Sequence, residues 1–301
     1  MPQFDKLLTD VGPDDPPARV AHRALKVRLR AVVKYLDQAD AASDQQAEEI
    51  HQLRVWTRRS AAALKLFGPL LAPRKARKLK KVLRRLRRSA GAVRDLDVIE
   101  TQLGDALPGP LADRLKDQRD AAQRDLRAAC RKWGSSGKLK RRVKRLLEQI
   151  DDHHQSNGVS FGPWCRAQLT PLVAEFASHA ARGARQSDAG LHRWRLAVKR
   201  LRYALELAVT AMPKRTWSRL YKLLTDVQER IGVICDALAE RQRLKEWRGE
   251  TNDREVHKLL SRLIADCRRR LSASKRQFAR WWTRGRSKSA GSLCRQAVGA
   301  T

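Results

Sequence analysis

The chain has 301 residues, 65 of them Lys or Arg against 32 Asp or Glu, for a formal charge of +33 at neutral pH. That excess goes far beyond what solubility requires and points to a polyanionic partner. Apolar residues make up 42% of the chain and glycine and proline are few, which supports a buried core and excludes a disordered basic tail.

Residues 1–16 form a lead that starts with neither the basic cluster nor the apolar run of a secretory signal. No stretch of about 18 apolar residues occurs, so no membrane association is expected. The five cysteines, Cys130, Cys165, Cys235, Cys267 and Cys294, are odd in number and form no Cys-x-x-Cys pair, which fits a reducing cytoplasm. Apolar residues recur at 3.6-residue spacing almost throughout, and the alternation of strands is missing, so the predicted fold class is all-α.

In chain order, the spacing predicts a first helix over 18–39, a loop at 43–46, and a histidine-bearing helix over 47–67 ended by Gly68-Pro69 and Pro73. A very basic helix follows over 74–90. Gly91 marks a bend, and a short helix leads on to Leu107. Pro108-Gly109-Pro110 reads as a turn, followed by helices over 111–133 and 139–150 on either side of Gly134-Ser-Ser-Gly137. The second half replays the plan with helices over 163–181, 189–210, 214–231, 235–247 and 253–282. The organisation expected is therefore a first helical repeat at 17–150, a linker at 151–160, a second repeat at 161–282, and a small, basic tail at 283–301 that frays.

The two halves share more than a plan. His51-x-x-Arg54-x-x-x-Arg58-Arg59 recurs as His192-x-x-Arg195-x-x-x-Lys199-Arg200, at an offset of 141 residues. Without insertion or deletion, twelve positions from His51 to Asp95 are identical in the second copy, among them Gly91/Gly232 and Asp95/Asp236. An internal duplication is the expectation, and a duplicated fold usually meets its copy across a pseudo-two-fold, where two equivalent faces can form one site.

At 100° per residue, His51, Arg54, Arg58 and Lys65 fall in a sector of roughly 60°. Arg77, Lys81, Arg84 and Arg88 line one stripe of the next helix, opposite Leu79, Val82, Leu83, Leu86 and Ala90. In the second copy His192, Arg195, Lys199 and Arg202 form the first stripe, whereas the second keeps Lys222 but has Thr225 and Glu229 where the first copy has Arg84 and Arg88. Residues 51–95 carry 15 Lys/Arg and one acid, residues 192–236 ten and four, so the first half is expected to hold a ligand more strongly. A third stripe on the first helix, Arg19, Arg23, Lys26, Arg30 and Lys34, is expected to extend the same wall. Like charges at i,i+4 are mutually destabilising, and concentrating them on three helices is unfavourable unless an anion neutralises them. Asp95 and Asp236 read as structural, since a carboxylate inside a polyanion site would repel the ligand.

These residues resemble the CHAD family, the conserved histidine α-helical domains. The resemblance rests on the two His-x-x-Arg-x-x-x-(Arg/Lys)-Arg strings, on Lys199-Arg200-Leu201-Arg202-Tyr203-Ala204-Leu205-Glu206-Leu207 and on Arg94-Asp95-Leu96-Asp97-Val98, and covers about residues 17–282. It implies two four-helix bundles related by a pseudo-two-fold, a central basic groove or channel, and binding of inorganic polyphosphate through Lys, Arg and the two histidines. The candidate residues are His51, Arg54, Arg58, Arg59, Lys65, Arg77, Lys81, Arg84 and Arg88 in the first half, His192, Arg195, Lys199, Arg200, Arg202 and Lys222 in the second, and Lys26 and Arg30 on the first helix. Cys235 stands where the first copy has Arg94, a departure from the repeat. The Glu-x-Glu-x-Lys string of CYTH triphosphatase-like domains, to which CHAD domains occur fused, is absent, so a stand-alone protein is expected, associated with polyphosphate granules in the cytoplasm.

Catalysis is not expected. A phosphate-transferring enzyme needs a metal-binding carboxylate set or an activated nucleophile beside its cations, and neither is visible. Gly134-Ser-Ser-Gly137-Lys138 lacks the spacing of a phosphate loop and no strand precedes it. His153-His154 has no Cys or His at metal-ligand spacing and reads as linker, so neither metal nor cofactor is expected. The alternative reading is a nucleic-acid-binding protein, which the charge equally allows. It would need exposed aromatics for stacking, and most of Trp56, Trp133, Trp194, Trp217, Trp247, Trp281 and Trp282 fall at core positions or helix ends.

Overall fold

The computed structural model describes residues 4–39, 46–103, 107, 109–151 and 158–299, which form helices and connections with no strand among them. In chain order the helices are α1 (Pro17–Gln38), α2 (Gln46–Leu66), α3 (Pro73–Leu103), α4 (Gly109–Cys130), α5 (Lys138–Asp151), α6 (Phe161–Arg182), α7 (Asp188–Leu205), α8 (Lys214–Glu250), α9 (Arg254–Trp281) and α10 (Arg284–Val298). The expected all-α class is what the chain adopts. Residues 43–45 of the predicted first loop, Pro108, and His153-His154 lie outside the described residues.

Three helix starts have a local reason. Pro17 occupies the first turn of α1, where its missing N–H costs nothing. Asp253 caps α9 by accepting from the N–H groups of Glu255 and Val256 at 2.8 and 3.0 Å. Gly137, at φ +65° before α5, adopts the left-handed backbone that other residues avoid.

The bends expected at Gly91 and before Cys235 do not occur: α3 and α8 run unbroken for 31 and 37 residues. A single glycine costs a helix only about 1 kcal/mol relative to alanine. That cost is outweighed by a continuous apolar stripe, which runs from Leu79 to Leu103 in α3 and from Leu220 to Trp247 in α8. The second histidine-bearing helix, predicted to reach Thr210, stops at Leu205. The tail expected to fray is instead α10, capped by Thr283 and burying Ala290, Leu293, Cys294 and Ala297. Its apolar stripe is short and made of small residues, which is why composition alone reads it as tail.

The chain divides into two compact units. Unit 1 comprises residues 1–165 with 206–211, and unit 2 comprises 166–205 with 212–301. The division falls after Cys165 rather than in the expected linker, because Phe161 and Trp164 stack on Phe67 of unit 1 at 6.4 and 5.6 Å. The N–H groups of Phe161 and Gly162 also donate to the carbonyls of Asp15 and Pro13.

In unit 1, α1 packs on α2, α2 on α3, α3 on α4, and α5 on α1. The core holds Leu25, Leu29, Leu53, Phe67, Leu83 and Leu86. In unit 2, α8 packs against α7, α9 and α10, around Trp194, Leu224, Ile231, Trp247, Leu260 and Phe278. Among the described residues each unit carries five helices, one more than a four-helix bundle; α5 and α10 are the shortest of them.

Candidate functional site: two basic helix pairs

The amphipathic pattern of α3 places its charges. Leu79, Val82, Leu83, Leu86 and Ala90 are buried, and this leaves Arg77, Lys81, Arg84 and Arg88 exposed along the opposite side. On α2, packing of Ile50, Leu53, Trp56, Ser60 and Leu64 into the core leaves His51 and Lys65 exposed and Arg54 and Arg58 half-buried.

The two helices run antiparallel in a register read from three places. The Arg54 guanidinium crosses α3 at Gly91, donating to its carbonyl at 3.3 Å and to Asp95 Oδ1 at 3.0 Å. Arg94 acts electrostatically on His51, and Lys65 on Lys80. Gly91 is thus a crossing point rather than a bend: the guanidinium carbon lies 4.0 Å from where a side chain would begin.

Unit 2 repeats this crossing. Arg195 Nη2 donates to Asp236 Oδ1 at 3.1 Å, and its guanidinium lies 4.0 Å from the corresponding position on Gly232. The two carboxylates read as structural in the sequence, Asp95 and Asp236, are both arginine partners.

The local potential is strongly positive. The His51 imidazole, although exposed at the surface, is held below its usual pKa of 6.5, first by partial burial and then by Arg94, Arg54 and Arg58, against the opposing pull of Glu48. Lys80 is lowered by burial and then by Lys65. Arg94 and Lys80 were not among the candidate residues and belong to this face. Arg94 had a signal in the sequence, since Cys235 replaces it in the second copy immediately before the matched Asp95/Asp236. That thiol is buried and its pKa is raised mainly for that reason, while Arg195 and Lys199 pull the other way, which puts it beside the two cations of the second face.

Other candidates are turned to different partners. Arg59 points inward, its side chain 12% exposed, and donates to the fully buried Glu206 at 2.8 Å. Arg200 pairs with Glu175 of α6. Arg202 donates to Gln228 Oε1 at 3.0 Å and to the Tyr221 hydroxyl at 2.9 Å. On α8, Lys222 is exposed, Glu229 is exposed two turns further along the same helix, and the Thr225 hydroxyl folds back onto the Tyr221 carbonyl at 3.0 Å.

The α1 stripe is met by the N-terminal lead. Arg19 pairs with Asp15 at 3.2 Å, Arg23 pairs with Asp10, and Lys34 lies over the rings of Phe4 and Tyr35. Lys26 and Arg30 line a cleft of about 310 Å³ with Asp5 and Asp10, to which no residue of α2 or α3 contributes. The lead's acids thus answer much of this stripe locally.

Trp56, Trp133, Trp194, Trp247 and Trp282 are buried. No aromatic residue interrupts the exposed cations of α3. No helix among the described residues is long and apolar enough to cross a membrane, and no group of three or more His, Cys, Asp or Glu among them could hold a metal ion.

Comparison with known proteins agrees with this architecture. The family model described as the CHAD domain matches residues 23–245. A crystal structure of the CHAD domain from the plant Ricinus communis is similar over 100% of this chain and 97% of its own, with a TM-score of 0.70 and 22% identity. PptA from Streptomyces chartreusis is similar over 89% of this chain and 99% of its own, with a TM-score of 0.61 and 16% identity. At those identities the likeness concerns the fold. No curated protein matches the sequence.

Proposed function

Because the chain belongs to the CHAD domain family, a family linked to polyphosphate, we propose that it binds inorganic polyphosphate through the His/Arg/Lys faces of α2–α3 and α7–α8, without turning it over. The observation that carries this reading is the α3 face: Arg77, Lys81, Arg84 and Arg88 are all exposed on one stripe, with α2 supplying His51 and Arg58 alongside. A linear chain of phosphoryl groups matches such a stripe, since arginine grips phosphate oxygens with paired donors and lysine neutralises them as a point charge. The polymer has no bases, and the stripe offers no ring on which a base would stack. Targeting to polyphosphate granules is the role that fits a binding protein of this kind.

The test is competition. Labelled long-chain polyphosphate bound to the full chain is challenged with duplex DNA, RNA and orthophosphate at matched salt, and phosphate release is followed in parallel. Polyphosphate retained against an equal charge concentration of nucleic acid supports the proposal, and so does steep weakening with salt, as counterion release requires. Displacement by DNA at equal charge would assign the protein to nucleic acid instead, and sustained release of orthophosphate would make it an enzyme.

A further inference from the structure

Unit 2 has fewer cations on its repeat faces than unit 1, yet it holds an open cleft that the repeat does not mark. The cleft lies between α8 and α10, has a volume of about 520 Å³, and is lined by Arg219, Lys222, Asp226, Trp281, Arg286 and Ser289 among others. A cavity of that size accommodates a small ligand. It exists because α10 folds: with Ala290, Leu293, Cys294 and Ala297 buried, the first turns of that helix bring Arg286 and Ser289 alongside α8.

Three cations face a single carboxylate there. Arg219 and Lys222 are one turn apart and exposed, and neither is paired with a carboxylate among the described residues. Arg286 is already positioned, donating from its guanidinium to the Trp281 carbonyl and lying over that indole ring at 4.4 Å. A guanidinium held in place loses little conformational freedom when an oxyanion arrives.

The same geometry selects among phosphate-bearing ligands. Trp281 is the cleft's only aromatic lining residue, and its ring already carries Arg286, Arg230 at 4.5 Å and Phe278 at 6.1 Å. A nucleobase would have to displace one of them to stack. The cleft therefore suits phosphoryl groups without a base.

We infer that the α8–α10 cleft is a phosphate-binding subsite in which Arg219 and Arg286 join Lys222, lengthening the second cationic face where Thr225 and Glu229 interrupt it. This inference rests on the polyphosphate reading above. Ser289 is exposed, so Ser289→Glu places a carboxylate at the cleft without removing a contact. Arg219→Ala removes one cation. Gln277→Glu, on an exposed position of α9 away from the cleft lining, is the charge-matched control.

The full-length variants are titrated with tripolyphosphate and long-chain polyphosphate, with helix content checked by circular dichroism. Ser289→Glu and Arg219→Ala are each expected to weaken binding by about three- to tenfold relative to Gln277→Glu. Wild-type binding that is matched by both cleft variants and the control overturns the subsite and leaves the general reading standing. Failure of the wild-type chain to bind either ligand overturns both.

Discussion

Replacing Glu206 is expected to destabilise the fold strongly. Its side chain is fully buried, with Arg59 Nε at 2.8 Å and Nη2 at 3.5 Å. The neighbouring Arg28 is 1% exposed and bonds the Lys6 carbonyl at 3.0 Å, while its Nε has no partner. Burial brings the Arg28 guanidinium down from 12.5 to about 10, even though Glu206 pulls it up; Arg59 adds to the lowering. That displacement corresponds to roughly 3 kcal/mol of unfavourable charge burial still present with the carboxylate in place.

Glu206→Gln keeps the shape and removes the carboxylate that opposes the lowering of Arg28, leaving two inward-facing guanidiniums to repel each other. The expected loss is about 3–5 kcal/mol, the range for a buried ion pair broken on one side. Urea unfolding of the full chain at pH 7 measures it. All three residues lie in unit 1, so the shift belongs to that unit's transition should the two melt separately. Arg28→Met in the Glu206→Gln background should recover more than half of the loss, because it removes the second buried cation, which repels the Arg59 left without its counterion, and keeps an unbranched apolar stem. A loss below about 1 kcal/mol for Glu206→Gln, or no recovery in the double variant, would refute the reasoning.

Three further outcomes are expected. Lys81→Glu with Arg84→Glu should weaken polyphosphate binding by more than about tenfold, and Lys222→Glu alone by only a few-fold; equal losses in an equilibrium titration would show that the two faces are not unequal. Bound polyphosphate should raise the depressed pKa of His51, so binding takes up a proton and affinity should rise as pH falls through the region between the bound and free values, the free one lying below 6.5. Affinity that stays flat between about pH 5 and 8 would remove His51 from the ligand's surroundings. Asp95→Ala should leave stability within about 1 kcal/mol, since that carboxylate is 67% exposed, and should tighten binding about threefold by removing a negative charge beside the face. Weaker binding would mean that Asp95 matters more for orienting Arg54 than for opposing the ligand.

Much of the fold was legible in the residues because helices advertise themselves by periodicity. The buried stripe Leu79, Val82, Leu83, Leu86, Ala90 and the exposed stripe Arg77, Lys81, Arg84, Arg88 both follow from 3.6-residue spacing alone. The repeated Arg-to-Asp crossing was half legible: the matched aspartates read as structural, but Gly91 read as a bend, because a glycine's local preference cannot reveal that an arginine from another helix lies across it. Helix α10 escaped notice because its buried side chains are mostly small, and packing against α8 gives them something to bury against.

The division between the two levels of information is physical. A helix face is a one-dimensional property, so sequence by itself determined that the chain is helical and that His51 shares a side with Arg54 and Arg58, while the net charge made a polyanion the expected partner. Which cation stays in solvent and which is turned inward depends on what the rest of the chain brings up to it. Arg58 and Arg59 are adjacent in sequence, yet Arg59 has Glu206 from 147 residues away as its counterion. Position 206 itself matches Lys65 of the first copy in the repeat, an exposed cation in one half and a buried anion in the other. No pattern within a helix distinguishes them, because the desolvation that decides the matter exists only once the core has closed.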